Sequence, residues 1–345
     1  MSTRTDAPSA PSTKARQASR TLWILVLLAS TAVAAVFSVM FGVRSIEWSD
    51  AYAALLGHTD TTEQAAAAAR IPRTVLAILV GASLSLAGLA MQAVTRNPLA
   101  DPGIFGVLSG ASLAVVVGIA FFGLTSAVPT MLLAVLGAAL AAVFVYTVGS
   151  LGRGGATPLK LALAGAATSA ALGSLVSAVL LPRTDVLDSF RFWQIGGVGG
   201  AQWHTLAYGA PALGLGALIC VVSARGMNAL ALGDEVATGL GVNVPLTRGV
   251  ISIGAVILCG VSTALAGPIG FVGLIVPHAL RLLFGPDHRW LVPATAIGGA
   301  TLILLADTAG RVITRPSEIA VGIIMPLIGA PVFIWIVRRA KVREL

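Results

Sequence analysis

Three groups of charged residues have types and spacings that could do chemistry. Arg70-Ile71-Pro72-Arg73 puts two guanidiniums three residues apart, so on a helix they share one face. Guanidinium matches carboxylate and phosphate with paired N–H donors, so the spacing alone fits either lipid-headgroup anchoring or an acidic residue on a soluble partner. Asp234 and Glu235 lie in Met227–Val244, an amphipathic interruption between two long apolar runs, bracketed by Gly233 and Gly241. A protruding segment of that kind suits a chain that receives mechanical work from a soluble partner; simple passage of a solute would not need it. Asp307, Glu318 and His278 lie toward the ends of apolar runs, with His278 close to Arg281. Ion-coupled carriers hold such groups near mid-membrane, so these positions read as interfacial.

Other chemistries are absent from the sequence. No G-x-x-x-x-G-K-[ST] loop is present to cradle a nucleotide. The run Gly196-Gly197-Val198-Gly199-Gly200 lacks the lysine and the preceding strand, and reads as a flexible bend. No H-E-x-x-H or Cys/His cluster offers a metal site. Cys220 and Cys259 each sit inside an apolar run and read as small hydrophobes rather than a disulfide. The expectation is a chain with no catalytic residue, no cofactor site and no metal site, whose energy comes from another subunit or from the gradient of the solute.

The elements that must position these groups follow from composition. With 57% hydrophobic and 10% charged residues, and 39 glycines in 345 residues, the chain is a polytopic membrane domain rather than a soluble one. Backbone groups have no partners in lipid, so the spans must be helical and the fold class all-α. Apolar runs fall near 22–43, 73–94, 104–122, 127–149, 160–181, 204–224, 247–265, 271–285, 290–306 and 319–337, which predicts about ten spans. The eighth is short and holds Pro277, so by itself it fits a re-entrant segment as well as a crossing. The second is expected to open at Arg70–Arg73, with Pro72 in its first turn, where a missing N–H costs nothing.

Residues 1–20, rich in Ser, Thr, Ala and Pro, read as a disordered basic tail, and 21–345 as the transmembrane domain. Ala32-Val33-Ala34 mimics a cleavage site, but its apolar run is long enough to be a retained span. The net charge of +8 forms no stripe that would suit nucleic acid. With the amino terminus inside and ten crossings, fifteen of the 22 Lys and Arg lie inside; Arg44, Arg70, Arg73, Arg183, Arg191, Arg311 and Arg315 lie outside. This orientation makes both termini and Met227–Val244 cytoplasmic. Ala100–Val107 and Ala266–Gly273 are similar Pro/Gly-interrupted segments on opposite sides in this topology, as an inverted-topology repeat would leave them.

After about residue 20 the whole chain resembles the FecCD-type permeases, membrane subunits of ATP-driven importers for iron-siderophores, haem and cobalamin. The resemblance is carried by Arg70-Ile71-Pro72-Arg73, Gly81-Ala82-Ser83-Leu84 with Gly88, Met91 and Gln92, and Asn97-Pro98-Leu99-Ala100-Asp101-Pro102 with Gly106. Further along come Ala231-Leu232-Gly233 with Leu240-Gly241, and Gly270-Phe271-Val272-Gly273-Leu274-Ile275-Val276-Pro277-His278 with Arg281. Asp287-His288-Arg289 and Gly329-Ala330-Pro331-x-Phe333 complete it.

The resemblance implies ten helices and a homodimer, or a heterodimer with a related permease, in the bacterial cytoplasmic (inner) membrane. It implies two cytoplasmic ATPase subunits that hold the ATP and Mg, and an extracytoplasmic substrate-binding protein. It assigns Arg70, Arg73 and Arg311 to docking of that binding protein, and Ala231, Leu232, Gly233, Asp234, Glu235, Leu240 and Gly241 to ATPase coupling. Spans 160–181 and 319–337 would line the pathway. The chain departs from the family pattern at Glu318-Ile319-Ala320-Val321-Gly322, where Ala320 replaces a proline, and at Met325-Pro326, where a proline stands further in and invites a kink. The expected cargo is an iron-siderophore, ahead of haem and cobalamin. The alternative is a secondary carrier or channel for a metal chelate, whose uptake would survive ATP depletion and collapse with an uncoupler.

Overall fold

The computed structural model describes residues 13–43, 45–124, 126–152 and 157–342. Among these the regular structure is helical throughout. In chain order the helices are α1 (Thr13–Met40), α2 (Trp48–Leu55), α3 (Thr62–Thr95), α4 (Val107–Phe122), α5 (Ala127–Ser150), α6 (Pro158–Leu180) and α7 (Thr184–Ile195). They continue as α8 (Trp203–Val222), α9 (Ala224–Ala231), α10 (Asp234–Gly239), α11 (Val244–Ala266), α12 (Val272–Phe284), α13 (His288–Ile313) and α14 (Val321–Val342). A 3₁₀ turn, Pro102–Phe105, leads into α4.

Each of the ten apolar runs is helical. Seven helices are both long and apolar enough to cross a bilayer: α1, α3, α5, α6, α8, α11 and α13. The other three apolar stretches, α4, α12 and Val321–Ile334 of α14, are shorter. The 13 residues of α12 give a rise of about 20 Å, less than the ~30 Å of hydrocarbon.

Helix α3 is the axis of the molecule. Its 34 residues rise about 51 Å, and 78% of its apolar window is buried, against 17% for α6. Glycines let its neighbours approach. A Cβ on Gly88 would fall on the carbonyl of Gly273 in α12, and one on Gly81 on the carbonyl of Gly299 in α13. These two contacts explain the Gly81 and Gly88 positions through backbone proximity, the usual basis of packing between membrane helices. Gln92 then donates from Nε2 to the carbonyl of Gly273 at 3.1 Å and accepts from Arg281 at 2.9 Å.

Helix α3 starts earlier than the apolar run suggests. It begins at Thr62, so Pro72 lies inside it rather than in its first turn. Thr61 caps the helix by accepting from the Gln64 N–H at 3.1 Å, and Gln64 Oε1 accepts from the Asp60 N–H at 3.1 Å. Five alanines, Ala65–Ala69, then carry the helix through a stretch without large apolar residues. The capping signal and the alanine run outweigh the missing Pro72 donor. Beside this outer extension, Ala67 packs with Ile46, Ala51 and Ala54 in a small separate core under α2.

Two further expectations change. Residues 13–20, assigned by composition to a tail, form the first turns of α1; residues 1–12 lie outside the described residues, as do Arg44 and Arg153. The glycine run is a bend as expected, but its first half, 196–198, is packed against its surroundings, while Gly199 and Gly200 are exposed. The Gly197 N–H donates to the Ala266 carbonyl at 2.7 Å, Gly196 abuts Pro268, and Val198 is buried. Helix α14 runs on through Pro326 and Pro331. The two Pro/Gly segments noted in sequence share a local form, because α4 and α12 each start after a left-handed residue, Gly106 (φ 67°) and Phe271 (φ 69°).

Candidate functional site

Arg70, Arg73 and Arg311 sit on α3 and α13 beside the end of α1, and they do different things. Helix α1 ends without a basic residue in its last turn, so its terminal carbonyls need outside donors. Arg70 supplies some of them, donating to the carbonyls of Val39 (2.9 Å) and Met40 (3.2 Å). Arg311 supplies the rest, donating to those of Ser38 (2.9 Å) and Phe41 (3.0 Å) and also to Ser38 Oγ (3.0 Å). Two arginines from other helices thus cap α1. Ser38 Oγ and Thr74 Oγ1 share a hydrogen bond at 2.9 Å, which ties the cap to α3.

Arg73 and Arg311 converge on one carboxylate. Asp307 is 1% exposed and pairs with Arg73 Nη2 at 2.8 Å and Arg311 Nη2 at 2.9 Å. Arg73 Nε also reaches both Asp307 oxygens, at 3.2 and 3.1 Å, and Arg73 Nη1 holds Glu318 at 2.8 Å. Two guanidiniums therefore meet two carboxylates. Asp307 is locked on both sides, whereas Glu318, with its side chain 40% exposed, holds a single guanidinium nitrogen. Arg311 is 1% exposed, so its contacts serve the interior rather than the surface. Glu318 lies on the connection from α13 into α14, where the Ile319 N–H donates to the Gly310 carbonyl and the Gly322 N–H to the Gly196 carbonyl.

The segment 227–244 resolves into two short helices, α9 and α10, with the break at Gly233 (φ 106°) and an exit at Gly241 (φ 80°), backbone angles that suit glycine. Met227, Leu230 and Ala237 are buried and anchor it. Asp234, in the first turn of α10, accepts from Arg248 of α11 at 3.0 and 3.3 Å. Leu232, Val236 and Leu240, four residues apart, are 59%, 51% and 64% exposed. Val236 and Leu240 make a short apolar stripe on one side of α10, and Leu232, at the end of α9 before the Gly233 break, adds a third exposed apolar side chain. Glu235 is exposed beside it. Sequence reasoning had named Leu232 and Leu240 but missed Val236, because one valine among small residues carries no signal until its exposure is known. It also missed Arg248, which orients Asp234.

Arg73, well inside α3, and Thr95, its last residue, are 22 residues apart, a rise of about 33 Å. The arginine cluster and the stripe-bearing segment are thus separated by roughly the thickness of a hydrocarbon core. Among the described residues no three His, Cys, Asp or Glu side chains group as metal ligands.

This is a helical membrane protein with a polar cluster part-way along its central helix and a short, partly exposed helical segment near that helix's far end. Residues 27–339 match the model of the FecCD transport family, and the chain belongs to that family. It is 42% identical to the ferric enterobactin transport system permease protein FepD of Escherichia coli (strain K12), over 92% of this chain and 93% of that one. It is 39% identical to the hemin transport system permease protein HmuU of Yersinia pestis, over 79% of this chain and 82% of that one. Against the cobalamin import system permease protein BtuC of Halobacterium salinarum it is 38% identical, over 86% and 79%. A solved structure described as an inward-facing conformation of a metal-chelate type ABC transporter superposes with a TM-score of 0.80, at 30% identity, covering 92% of this chain and 99% of that one.

Proposed function

We propose that this chain is the membrane permease subunit of an ATP-driven importer of metal chelates, with iron-siderophores as the preferred cargo and haem or cobalamin as the nearest alternatives. It works as a dimer, of two copies or with a related permease, in the cytoplasmic membrane with both termini inside. Two ATPase subunits bind and hydrolyse ATP with Mg, and a substrate-binding protein delivers cargo from outside. All ten apolar helices cross, arranged as an inverted repeat, and the weakly buried α6 together with α14 lines the shared pathway. ATP-driven closure of the cytoplasmic subunits moves the coupling segment, the two halves rock, and the pathway changes the side it faces. No bond is made or broken in this chain.

The observation that carries this reading is the exposed apolar surface that Leu232, Val236 and Leu240 form around the Gly233 break. Its apolar side chains stand in water on an element anchored by Ala237 and by the Asp234–Arg248 pair. Exposed apolar spacing on a short helix is what a groove on a partner recognises. Asp234 keeps α10 oriented, and Glu235 with the stripe meets the ATPase.

At the other end, the binding protein's carboxylates recognise the arginines. Arg73 is already neutralised, so a docking carboxylate competes with Glu318, the weaker tie, while Asp307 stays in place. Arg70 and Arg311 support that surface through the end of α1. Removal of Glu318 from Arg73 would free the connection into α14, which offers a route from docking to the pathway.

The test uses the complete transporter in lipid. Val236→Asp with Leu240→Asp should lower cargo-stimulated ATP hydrolysis by roughly tenfold or more while leaving the protein inserted. Undiminished hydrolysis would falsify the coupling assignment.

A further inference from the structure

A second polar feature lies at the inner end of α3, and nothing above uses it. A cavity of about 330 Å³ opens between the ends of α3, α12 and α13, lined by Gln92, Arg96, Ala231, Arg281, Pro286 and His288. Arg96 caps α3 in the left-handed region (φ 51°), and its guanidinium lies against the α9–α10 break, since a Cβ built on Gly233 would stand 3.6 Å from Arg96 Nη2. Arg281 is held at the cavity wall by one neutral group, donating to Gln92 Oε1 at 2.9 Å, and Gln92 is fixed in turn by the Gly273 carbonyl.

Among the described residues neither guanidinium has a carboxylate partner. The neighbouring acid, Asp287, is engaged elsewhere. Its Oδ1 accepts from Asn228 Nδ2 at 2.8 Å and from the Arg289 N–H at 3.1 Å, and its Oδ2 lies 4.0 Å from Arg20. Burial opposes its charge, yet the Asn228 hydrogen bond, then the Arg289 N–H and the charges of Arg289 and Arg20, hold its carboxyl below the usual range. It stays an anion fixed outside the cavity. Two cations with only neutral support then face one space large enough for a side chain.

We infer that this cavity is a receptor for a carboxylate side chain of the cytoplasmic ATPase subunit, gripped between Arg96 and Arg281. The inference rests on the importer reading above. Arginine pairs bind carboxylate through several N–H donors at once, and here a half-buried Arg281 and an exposed Arg96 would hold it from two sides. The position argues for the ATPase rather than a lipid headgroup. One wall is Ala231, and Arg96 touches the Gly233 break, so the ligand arrives beside the lever that the same partner would push. The contact would complement the apolar stripe: the stripe supplies contact area, and the arginines supply register and attraction at a distance.

The experiment measures binding of the ATPase subunit from the same gene cluster to this permease in nanodiscs, across a salt series. Among the described residues the Arg96 side chain makes no hydrogen bond, so Arg96→Glu should insert and melt as the parent does. Arg96→Glu and Arg281→Gln should each weaken binding about tenfold or more and flatten its salt dependence, while Arg96→Lys should retain most of the affinity. Because Arg281→Gln disturbs Gln92 and can unfold the region, Arg96→Glu is the deciding variant. If it binds the ATPase subunit as tightly as the parent at every salt concentration, the receptor is wrong. If it binds normally but the parent alone requires phosphatidylglycerol for stability, the cavity holds a headgroup and the inference is equally overturned. If the parent itself binds no ATPase subunit, the importer reading falls first and takes this one with it.

Discussion

Glu318 decides how the outer cluster can respond. Arg73 makes three contacts to buried Asp307 and one to Glu318, so the two carboxylates differ in how firmly they are held. An ion pair this exposed is worth about 0.2–1 kcal/mol. Glu318→Gln should therefore raise the affinity of the binding protein by roughly two- to fivefold, by removing a competitor for Arg73. Surface plasmon resonance at low salt would measure it, and a fall in affinity would show that Glu318 itself contacts the partner. Asp307 should behave differently. Asp307→Ala leaves Arg73 and Arg311 facing each other without a buried anion, a change that costs about 3–5 kcal/mol. Thermal unfolding in detergent should register a large loss of stability, where Glu318→Gln shows almost none.

The arginines also show what spacing leaves open. Arg70 and Arg73 suited lipid anchoring as well as an external carboxylate, and the family resemblance alone set Arg311 beside them. The fold gives Arg70 and Arg311 the orphan carbonyls of α1 and gives Arg73 two acids of its own chain. No local pattern could announce this, because the partners are more than two hundred residues apart for Asp307 and Arg73.

At the scale of elements, α3 owes its central place to small residues as much as to apolar ones. Gly81 and Gly88 let α13 and α12 approach until backbone meets backbone. Gly88→Val would drive a branched side chain into the Gly273 carbonyl and displace α12, at a cost of about 1–3 kcal/mol or more. The expected readout is a lowered melting temperature together with loss of the Gln92–Arg281 contact; unchanged stability would mean the helices do not sit this close in the membrane.

The apolar runs located the long apolar helices because lipid allows no other backbone solution. Boundaries were less legible. Helix α3 begins at Thr62 because a capping threonine and five alanines extend it, signals that mean hydropathy does not weigh. The coupling segment read as one amphipathic piece and is two, since Gly233 at φ 106° breaks it.

For the whole molecule, the separation of the two candidate surfaces along α3 makes a prediction about sidedness. Both native cysteines are buried, which leaves a quiet background for labelling. A cysteine placed at Glu235 should react with an impermeant thiol reagent only in inverted vesicles, and one at Trp48, 62% exposed on α2, only in right-side-out cells. Labelling of both from one side would reverse or dismantle the topology on which the two partner surfaces depend. In intact transporter, uptake competition among ferric siderophores, haem and cobalamin should favour a siderophore.

What the sequence determined by itself was the class and the order of parts: an all-helical membrane chain, a basic cluster before the second apolar run, and a polar lever between the sixth and seventh. Those are properties of composition and local period, which solvent and lipid read without reference to the rest of the fold. Only the tertiary structure decided which charges remain available. Whether a guanidinium caps a helix, closes on Asp307 or faces an empty cavity depends on which distant backbone it meets, and that is settled when α1, α3, α12 and α13 pack together.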